Sequence, residues 1–157
     1  MSQNKTLIAY QTKSGATEDS AKKIADVLQT KFQLQVDLVN LSKQKVPNLS
    51  SYSNVVVGAG VKWKKVYSKP LKFLKSDFSG KKVAFFVSSG NAETPGLYAS
   101  AKAEYVDETL AKYSNLHVIA AEAFGGHAKM FGKTLIDNLD LKKVEAWAEI
   151  LGKEFTQ

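Results

Sequence analysis

The sequence predicts an α/β protein in which a parallel β-sheet carries helices on both faces. Five short apolar, β-prone runs alternate with segments that place apolar residues at helical spacing. The third run has three consecutive valines at residues 55–57 and no polar alternation, as expected of a central strand buried on both sides. The length of 157 residues suits one core, so we expect a single domain over residues 1–157.

The predicted strands are the apolar runs themselves. They lie at residues 6–10, 35–40, 54–58, 82–87 and 117–121. Helices are predicted at residues 20–32, 67–74, 100–113 and 141–155. The last helix has one apolar stripe, formed by Val144, Trp147, Ala148, Leu151 and Phe155. In sheets of this kind ligands bind beyond the carboxyl ends of the strands, so the residues after each strand are the site candidates.

Composition limits the classes of function. The absence of cysteine excludes disulfides, thiol catalysis and cysteine-ligated iron–sulfur clusters. No apolar run reaches the length of a membrane span or a signal h-region, so we expect a cytoplasmic protein without stable membrane insertion. The formal charge of +7 favours anionic partners. The lysines are spread along the chain, however, and a solvated lysine-rich surface is the alternative interpretation.

The first candidate loop follows strand one and leads into a helix. Its hydroxyl side chains and its glycine suit a phosphate held by free backbone N–H groups at the positive end of the helix dipole. The predicted binding residues are Gln11, Thr12, Lys13, Ser14, Gly15, Ala16 and Thr17. The alternative is a hydroxyl-rich N-cap of an ordinary helix.

The second candidate loop follows strand three. An aromatic side chain there could stack on a flat, electron-poor ring, and Trp63 is the first candidate, with Tyr67 in reserve. Alternatively, Trp63 packs as core against the next helix. The predicted contacts are Ala59, Gly60, Val61, Lys62 and Trp63. We interpret Gly58 and Gly60 as a tight exit from the strand.

The third candidate loop follows strand four. Ser89, Gly90 and Asn91 are small and polar, which suits a backbone that hydrogen-bonds the edge of a ring system. Tyr98 either covers the second face of that ring or begins the buried face of the next helix. His127 lies in a predicted loop after strand five, where it could touch a substrate or partner. Two histidines without clustered carboxylates predict no metal site, and no spacing identifies a catalytic residue.

The spacing Thr-x-Ser-Gly-x-Thr at residues 12–17 resembles the phosphate loop of flavodoxins, and the resemblance covers nearly the whole chain. It is closest to the flavodoxin-domain group that includes menaquinone-dependent protoporphyrinogen oxidase, on residues 11–17, residues 58–63 and the last helix with Trp147. The resemblance implies a flavodoxin-like three-layer α/β/α sandwich with a five-stranded parallel sheet in the order 2-1-3-4-5. It also implies FMN, with the phosphate at residues 12–17, Trp63 stacked on the isoalloxazine ring and residues 89–91 at the polar edge of that ring.

We therefore expect an FMN-binding electron-transfer protein, in which FMN carries the redox chemistry. One alternative is a small FMN oxidoreductase acting on a quinone or on an anionic substrate such as a porphyrinogen. Another is a flavodoxin-fold interaction module without flavin. Lys62, Lys64 and Lys65 would stabilise the reduced, anionic flavin and favour an acidic redox partner protein. We expect no nucleic-acid partner.

Overall fold

The computed structural model describes residues 4–130 and 133–157. The first half contains β1 (Lys5–Gln11), α1 (Ala16–Phe32), β2 (Gln35–Asn40), β3 (Asn54–Lys62), β4 (Lys65–Val66), α2 (Ser68–Phe73) and β5 (Lys82–Ser88). Next come α3 (Tyr98–Ala101), a π-helical segment (Lys102–Asp107) and α4 (Glu108–Leu110), which follow one another without a break. The chain then forms β6 (Val118–Phe124), β7 (His127–Met130), β8 (Lys133–Asp137) and α5 (Leu141–Phe155).

Five strands form one parallel sheet in the spatial order β2-β1-β3-β5-β6. Counted among the parallel strands alone, this is the order 2-1-3-4-5, so the predicted sheet is confirmed. The structure also contains two antiparallel strand pairings that were not predicted. The short strand β4 pairs with the end of β3, and β7 pairs with β8 in a separate hairpin.

The sheet is covered on both faces, which gives the three predicted layers. Successive residues of β1 point to opposite faces, so that Leu7 packs in one core cluster and Ile8 in the other. Helices α1 and α5 cover the face of Ile8, and there Trp147 packs edge-on against Phe86 and Phe124. The other face is covered by α2 and the helical stretch that begins at Tyr98. No helix within the described residues has the length and apolar character that crossing a bilayer requires.

The interpretation of Gly58 and Gly60 as a strand exit is wrong, because β3 continues to Lys62. Both glycines lie inside the strand and make room for aromatic rings. A Cβ on Gly58 would lie 2.4 Å from Cζ of Phe86, and a Cβ on Gly60 would lie 2.7 Å from Cε2 of Tyr67. The predicted contacts Ala59, Gly60, Val61 and Lys62 are therefore strand residues and not loop residues.

Other boundaries also differ from the prediction. Helix α1 begins at Ala16, directly after the glycine of the first loop, and not at residue 20. The helix predicted at residues 100–113 begins at Tyr98 and ends at Leu110. Strand β6 extends beyond residue 121 to Phe124, and His127 begins a strand instead of lying in a loop.

Candidate functional site

The carboxyl ends of β1, β3 and β5 meet at one edge of the sheet around a cavity of about 140 Å³. Nine of the predicted site residues line it: Thr12, Lys13, Ser14, Ala16, Thr17, Gly60, Val61, Ser89 and Gly90. The same cavity is lined by Tyr67, Ser88, Gly126 and His127. This volume is below that of a typical pocket for a whole cofactor and suits a smaller group such as a phosphate.

Six predicted site residues lie outside this lining. Gln11 is buried, and its Oε1 accepts a hydrogen bond from the Lys69 backbone N–H at 3.3 Å. Gly15 precedes the first turn of α1, Ala59 is fully buried in β3, and the Asn91 N–H donates to Oγ of Ser89 at 3.3 Å. Lys62 ends β3 and Trp63 follows it, both outside the cavity.

The loop before α1 leaves the N-terminus of that helix open to a ligand. Gly15 is the N-cap residue, with φ of +97°, and offers no side chain to the first-turn N–H groups. Its own N–H donates to Oγ1 of Thr12 at 2.9 Å, which leaves the Thr12 hydroxyl hydrogen free to donate. Ala16 and Thr17 of the first turn line the cavity. Free N–H groups at the positive end of a helix of this length are suited to an anion.

Two hydroxyl groups in the cavity differ in how they are engaged. Ser14 donates through Oγ to the His127 carbonyl oxygen at 2.5 Å, so its proton is already used. Ser88 is 5% exposed, and its Oγ is one of two buried side-chain oxygens, with that of Ser20, that lack a hydrogen-bond partner among the described residues. An unpartnered buried hydroxyl is costly unless a ligand or water satisfies it. The residues present therefore fit a polar ligand at this position.

Tyr67 forms the wall of the cavity beside β3. Its ring lies over Gly60, and its N–H donates to the Gly60 carbonyl oxygen at 3.0 Å. The Lys13 Nζ lies 4.9 Å from the centroid of the Tyr67 ring, in the range of a cation–π contact. Burial raises the pKa of Tyr67, which is thus neutral at physiological pH. An aromatic ring and a cation therefore flank the phosphate-sized cavity from two different loops.

Trp63 lies at the tip of the β3–β4 hairpin. It is 79% exposed, so the alternative interpretation of Trp63 as core is wrong. Trp63 and Lys64 are the two residues between the paired Lys62 and Lys65, and both have positive φ, 53° and 60°. Two-residue turns of this type normally contain Asn or Gly, and a bulky residue there indicates strain tolerated for another purpose.

Asn138 connects the loop after β5 to the loop after β6. Its Nδ2 donates to the Gly90 carbonyl oxygen at 2.8 Å, and its Oδ1 accepts from the Gly126 N–H at 3.0 Å. The Asn138 N–H also donates to the Gly126 carbonyl oxygen at 3.1 Å. A Cβ on Gly125 would lie 2.2 Å from the Asn138 carbonyl oxygen, so only glycine allows this approach. The sequence analysis missed Asn138, because its partners are remote in the chain.

His127 holds the first turn of α1 against the β7–β8 hairpin. Its Nδ1 lies 2.7 Å from Oδ1 of Asp137, and its Nε2 lies 3.4 Å from Oδ2 of Asp19. Together with the hydrogen bond that its carbonyl accepts from Ser14, these contacts tie the hairpin to the phosphate-sized cavity. The ring is engaged on both nitrogens, which favours a positioning role for this residue.

Tyr98 is not near this cavity. In one of the two interpretations, Tyr98 begins the buried face of the next helix. Tyr98 does begin α3, but it is 43% exposed and does not begin a buried face. Its hydroxyl donates to the Glu122 carboxylate, and burial, followed by that hydrogen bond, raises the pKa of Tyr98 to about 12. Tyr98, Glu122 and Trp147 line a separate cavity of about 380 Å³ beside the edge strand β6.

Comparison with known proteins gives one match by family and one partial match by sequence. The family model described as the flavodoxin domain matches residues 7–147. Protoporphyrinogen IX dehydrogenase [quinone] from Escherichia coli is 31% identical over 71 residues, which are 45% of this chain and 39% of that protein. The matched region thus spans about two-fifths of the length of this curated relative.

Solved flavodoxins share the whole fold of the chain. Oxidised Flavodoxin 2 from Bacillus cereus superposes with a TM-score of 0.69 at 23% identity, covering 96% of this chain and 99% of that one. Rubredoxin oxygen:oxidoreductase from Desulfovibrio gigas has a TM-score of 0.65 at 14% identity, covering 99% of this chain and 37% of that one. At these identities the likeness concerns the fold. With a family model that spans most of its length, the chain belongs to the flavodoxin domain family.

Proposed function

We propose that the chain binds FMN at the carboxyl edge of its sheet and acts as an electron carrier. One observation carries the proposal: the uncapped first turn of α1, the hydroxyl residues Thr12 and Thr17, and Ser88, whose Oγ has no partner among the described residues, line one cavity. A phosphate ester satisfies such a set of donors, and FMN differs from riboflavin in carrying that phosphate. The family supports a flavin as the cofactor class.

The residues around the cavity have distinct roles in this proposal. Thr12, Thr17 and the N–H groups of the first turn would hold the phosphate, and Lys13 would contribute positive charge beside it. In the loop of Ser89, Gly90 and Asn91, the Gly90 N–H would be offered to the edge of the isoalloxazine ring, because the Ser89 N–H donates to the Phe124 carbonyl oxygen and the Asn91 N–H to Oγ of Ser89. Trp63 and Tyr67 are the aromatic candidates for contact with that ring. FMN supplies one- and two-electron transfer when bound, and the protein supplies binding, orientation and electrostatics.

The test is a comparison of FMN with riboflavin, because only FMN carries the phosphate. Thr17→Ala should weaken FMN binding about tenfold or more, as expected for a lost hydrogen bond to a charged group, and leave riboflavin binding nearly unchanged. Binding is followed by quenching of flavin fluorescence. Thr30→Ala is the matched control, because Thr30 lies on the same helix and its hydroxyl donates to the Asp26 carbonyl oxygen, away from the cavity lining.

The outcomes separate the alternatives for this site. Equal losses of FMN and riboflavin in Thr17→Ala would contradict the phosphate assignment alone. A wild-type protein that binds neither flavin would contradict the flavin proposal as a whole and favour an interaction module with the same fold.

A second candidate is an FMN oxidoreductase acting on a quinone and a porphyrinogen. Its support is the partial identity to the Escherichia coli dehydrogenase, whose name gives protoporphyrinogen IX as substrate and a quinone as acceptor. The test is quinone-dependent oxidation of protoporphyrinogen IX by the FMN-loaded protein. Turnover that is abolished when FMN is removed would favour this enzyme over the carrier.

A further inference from the structure

The positive charge of the molecule comes from one segment. Residues 38–76 contain eight lysines and no Asp or Glu, and all eight lysines are exposed. The rest of the chain, with 14 lysines and 15 acidic residues, carries a net charge of −1, so this segment supplies the whole excess of +7. The lysines are therefore concentrated in one part of the sequence and are not evenly spread along it.

The lysines of this segment also lack carboxylate partners. Elsewhere, Lys31 pairs with Glu145 and Glu149, and Lys143 pairs with Glu93. In the described part of the chain, no lysine between residues 38 and 76 forms such an ion pair. Neighbouring like charges repel one another, and an acidic partner would relieve this repulsion.

An apolar groove of about 360 Å³ opens beside two of these lysines, between the loop after β2 and helix α2. Leu41, Val46 and Phe73 supply its apolar lining, and Lys69 and Lys72 stand along it. We call these five residues the lysine groove. Val46 is 41% exposed to solvent although its side chain is apolar, whereas Phe73 is buried, with 5% of its surface exposed.

The lysine groove is connected to the rim of the proposed FMN site. Helix α2 begins directly after Tyr67, which walls the cavity, and the Lys69 N–H donates to the side chain of Gln11 at the end of β1. A partner seated in the groove would therefore lie beside the edge of the sheet where the flavin is proposed to bind.

We propose that the lysine groove is the docking site of an acidic segment of a partner protein that inserts an apolar side chain between Lys69 and Lys72. A protein segment meets both requirements, because carboxylates can pair with the lysines while one apolar side chain fills the groove. A membrane surface is broad and cannot enter a concave groove of this size. Nucleic acid offers phosphates, but the chain has no arginine for bidentate phosphate contacts.

This inference rests on the proposed function only in identifying the partner as an electron donor or acceptor. Docking is measured without flavin, and FMN binding is measured on the same samples. A protein that binds FMN but not the docking partner would therefore contradict the groove proposal and leave the proposed function intact. A protein that binds the docking partner but not FMN would contradict the proposed function and leave the groove proposal intact.

The experiment uses a short fluorescein-labelled peptide of Glu and Asp with a central Leu-Phe pair, followed by fluorescence anisotropy. Lys69/Lys72→Gln should weaken its binding about three- to thirtyfold, and the charge-matched control Lys112/Lys153→Gln should change it less than about twofold. The control lysines are exposed and lie outside the segment. Replacing the Leu-Phe pair of the peptide by Ser-Ser should cost about tenfold or more, because the apolar contact is lost.

Three results would overturn the proposal. Equal losses in the groove and control variants would mean that diffuse charge alone attracts the peptide. Equal binding of the Leu-Phe and Ser-Ser peptides would mean that the groove holds no apolar anchor. Tighter binding to a single-stranded DNA oligonucleotide or to phosphatidylserine vesicles, with the same dependence on Lys69 and Lys72, would assign the surface to a different class of partner.

Discussion

Trp63 shows at the scale of one residue how folding and function can conflict. Its backbone lies in the left-handed region, where an ordinary side chain costs about 1–2 kcal/mol, and its ring stays 79% exposed. Asn or Gly would make the same turn with less strain. An exposed tryptophan held at this position contributes little to the core, which supports the proposal that Trp63 contacts the flavin.

The ring contact proposed for Trp63 can be tested by fluorescence. FMN binding should quench tryptophan emission, and Trp63→Phe should remove more of this quenching than Trp147→Phe. The comparison is informative because Trp147 is 5% exposed and packs between Phe86 and Phe124, on the face covered by α5. If Trp147→Phe removes most of the quenching, the placement of the ring beside Trp63 is wrong.

Asp37 illustrates a residue whose ionised form supports the fold. Tyr52 donates to its Oδ2 at 2.6 Å and Lys5 lies 3.0 Å from the same oxygen, and these contacts, the Tyr52 bond first, lower the pKa of Asp37. A depressed folded-state pKa contributes stability above the unfolded-state pKa, and this stability is lost as the pH falls through the folded value.

Asp37→Asn should therefore lower the free energy of unfolding at neutral pH, and the difference from wild type should shrink toward about pH 2. Urea denaturation at a series of pH values measures this. Tyr52→Phe removes the main cause of the shift and should show the same trend in weaker form. A difference that stays constant across the acid range would show that Asp37 acts by packing and not by its charge.

At the scale of elements, the pattern of apolar residues predicted the five parallel strands, and the resemblance to flavodoxins implied their order. It could not predict β4, because a strand of two residues has no periodicity to detect. It also missed the β7–β8 hairpin and the extension of β3, where Gly58 and Gly60 suggested a turn. Those glycines are required by the rings of Phe86 and Tyr67, which approach from other parts of the chain.

The same limit applies to the candidate site. Hydroxyls and a glycine beside a predicted strand pointed to the cavity, because those signals are local in sequence. Asn138 bonds Gly90 from 48 positions away, and the unsatisfied state of Ser88 depends on its surroundings in the folded protein. Neither property can be read from the spacing of residue types in the sequence.

Gly58 provides a test of the packing between β3 and β5, where it pairs with Phe86 in register. Gly58→Ala places a methyl group against a ring that is fully buried, and should lower the free energy of unfolding by about 1–3 kcal/mol. Urea denaturation of Gly58→Ala, Phe86→Leu and the double variant measures the coupling between them. The alanine should cost less when Phe86 is leucine. Additive losses would show that the methyl group clashes with something else.

At the scale of the whole molecule, the uneven charge should act on the flavin as well as on partners. Lys62, Lys64 and Lys65 surround the tip of the hairpin near the proposed ring position. A cation ~8 Å from the reduced, anionic flavin stabilises it by roughly 1–2 kcal/mol at an effective dielectric constant of ~20–40. Screening by salt weakens this effect at exposed positions.

Replacing these three lysines by glutamine should make the reduction potential of bound FMN more negative, with a smaller shift at high salt. A redox titration of the FMN-loaded protein measures it. The control replaces Lys112, Lys142 and Lys153, which are also exposed, and removes the same charge. An unchanged potential in the hairpin variant would show that its lysines face solvent away from the ring.

The contacts between Gly126 and Asn138 have a consequence for how this fold can diversify. The hydrogen bonds between Gly126 and Asn138 hold together the two ends of the segment that contains β7 and β8. The entropy of closing such a loop rises slowly with its length, and its two ends are already held together. We therefore expect insertions or deletions in this segment to leave the parallel strands in place, provided that His127 keeps its contacts with Ser14 and Asp19. The segment gives evolution, or a protein engineer, a place beside the proposed FMN site where specificity can be changed while the scaffold is kept.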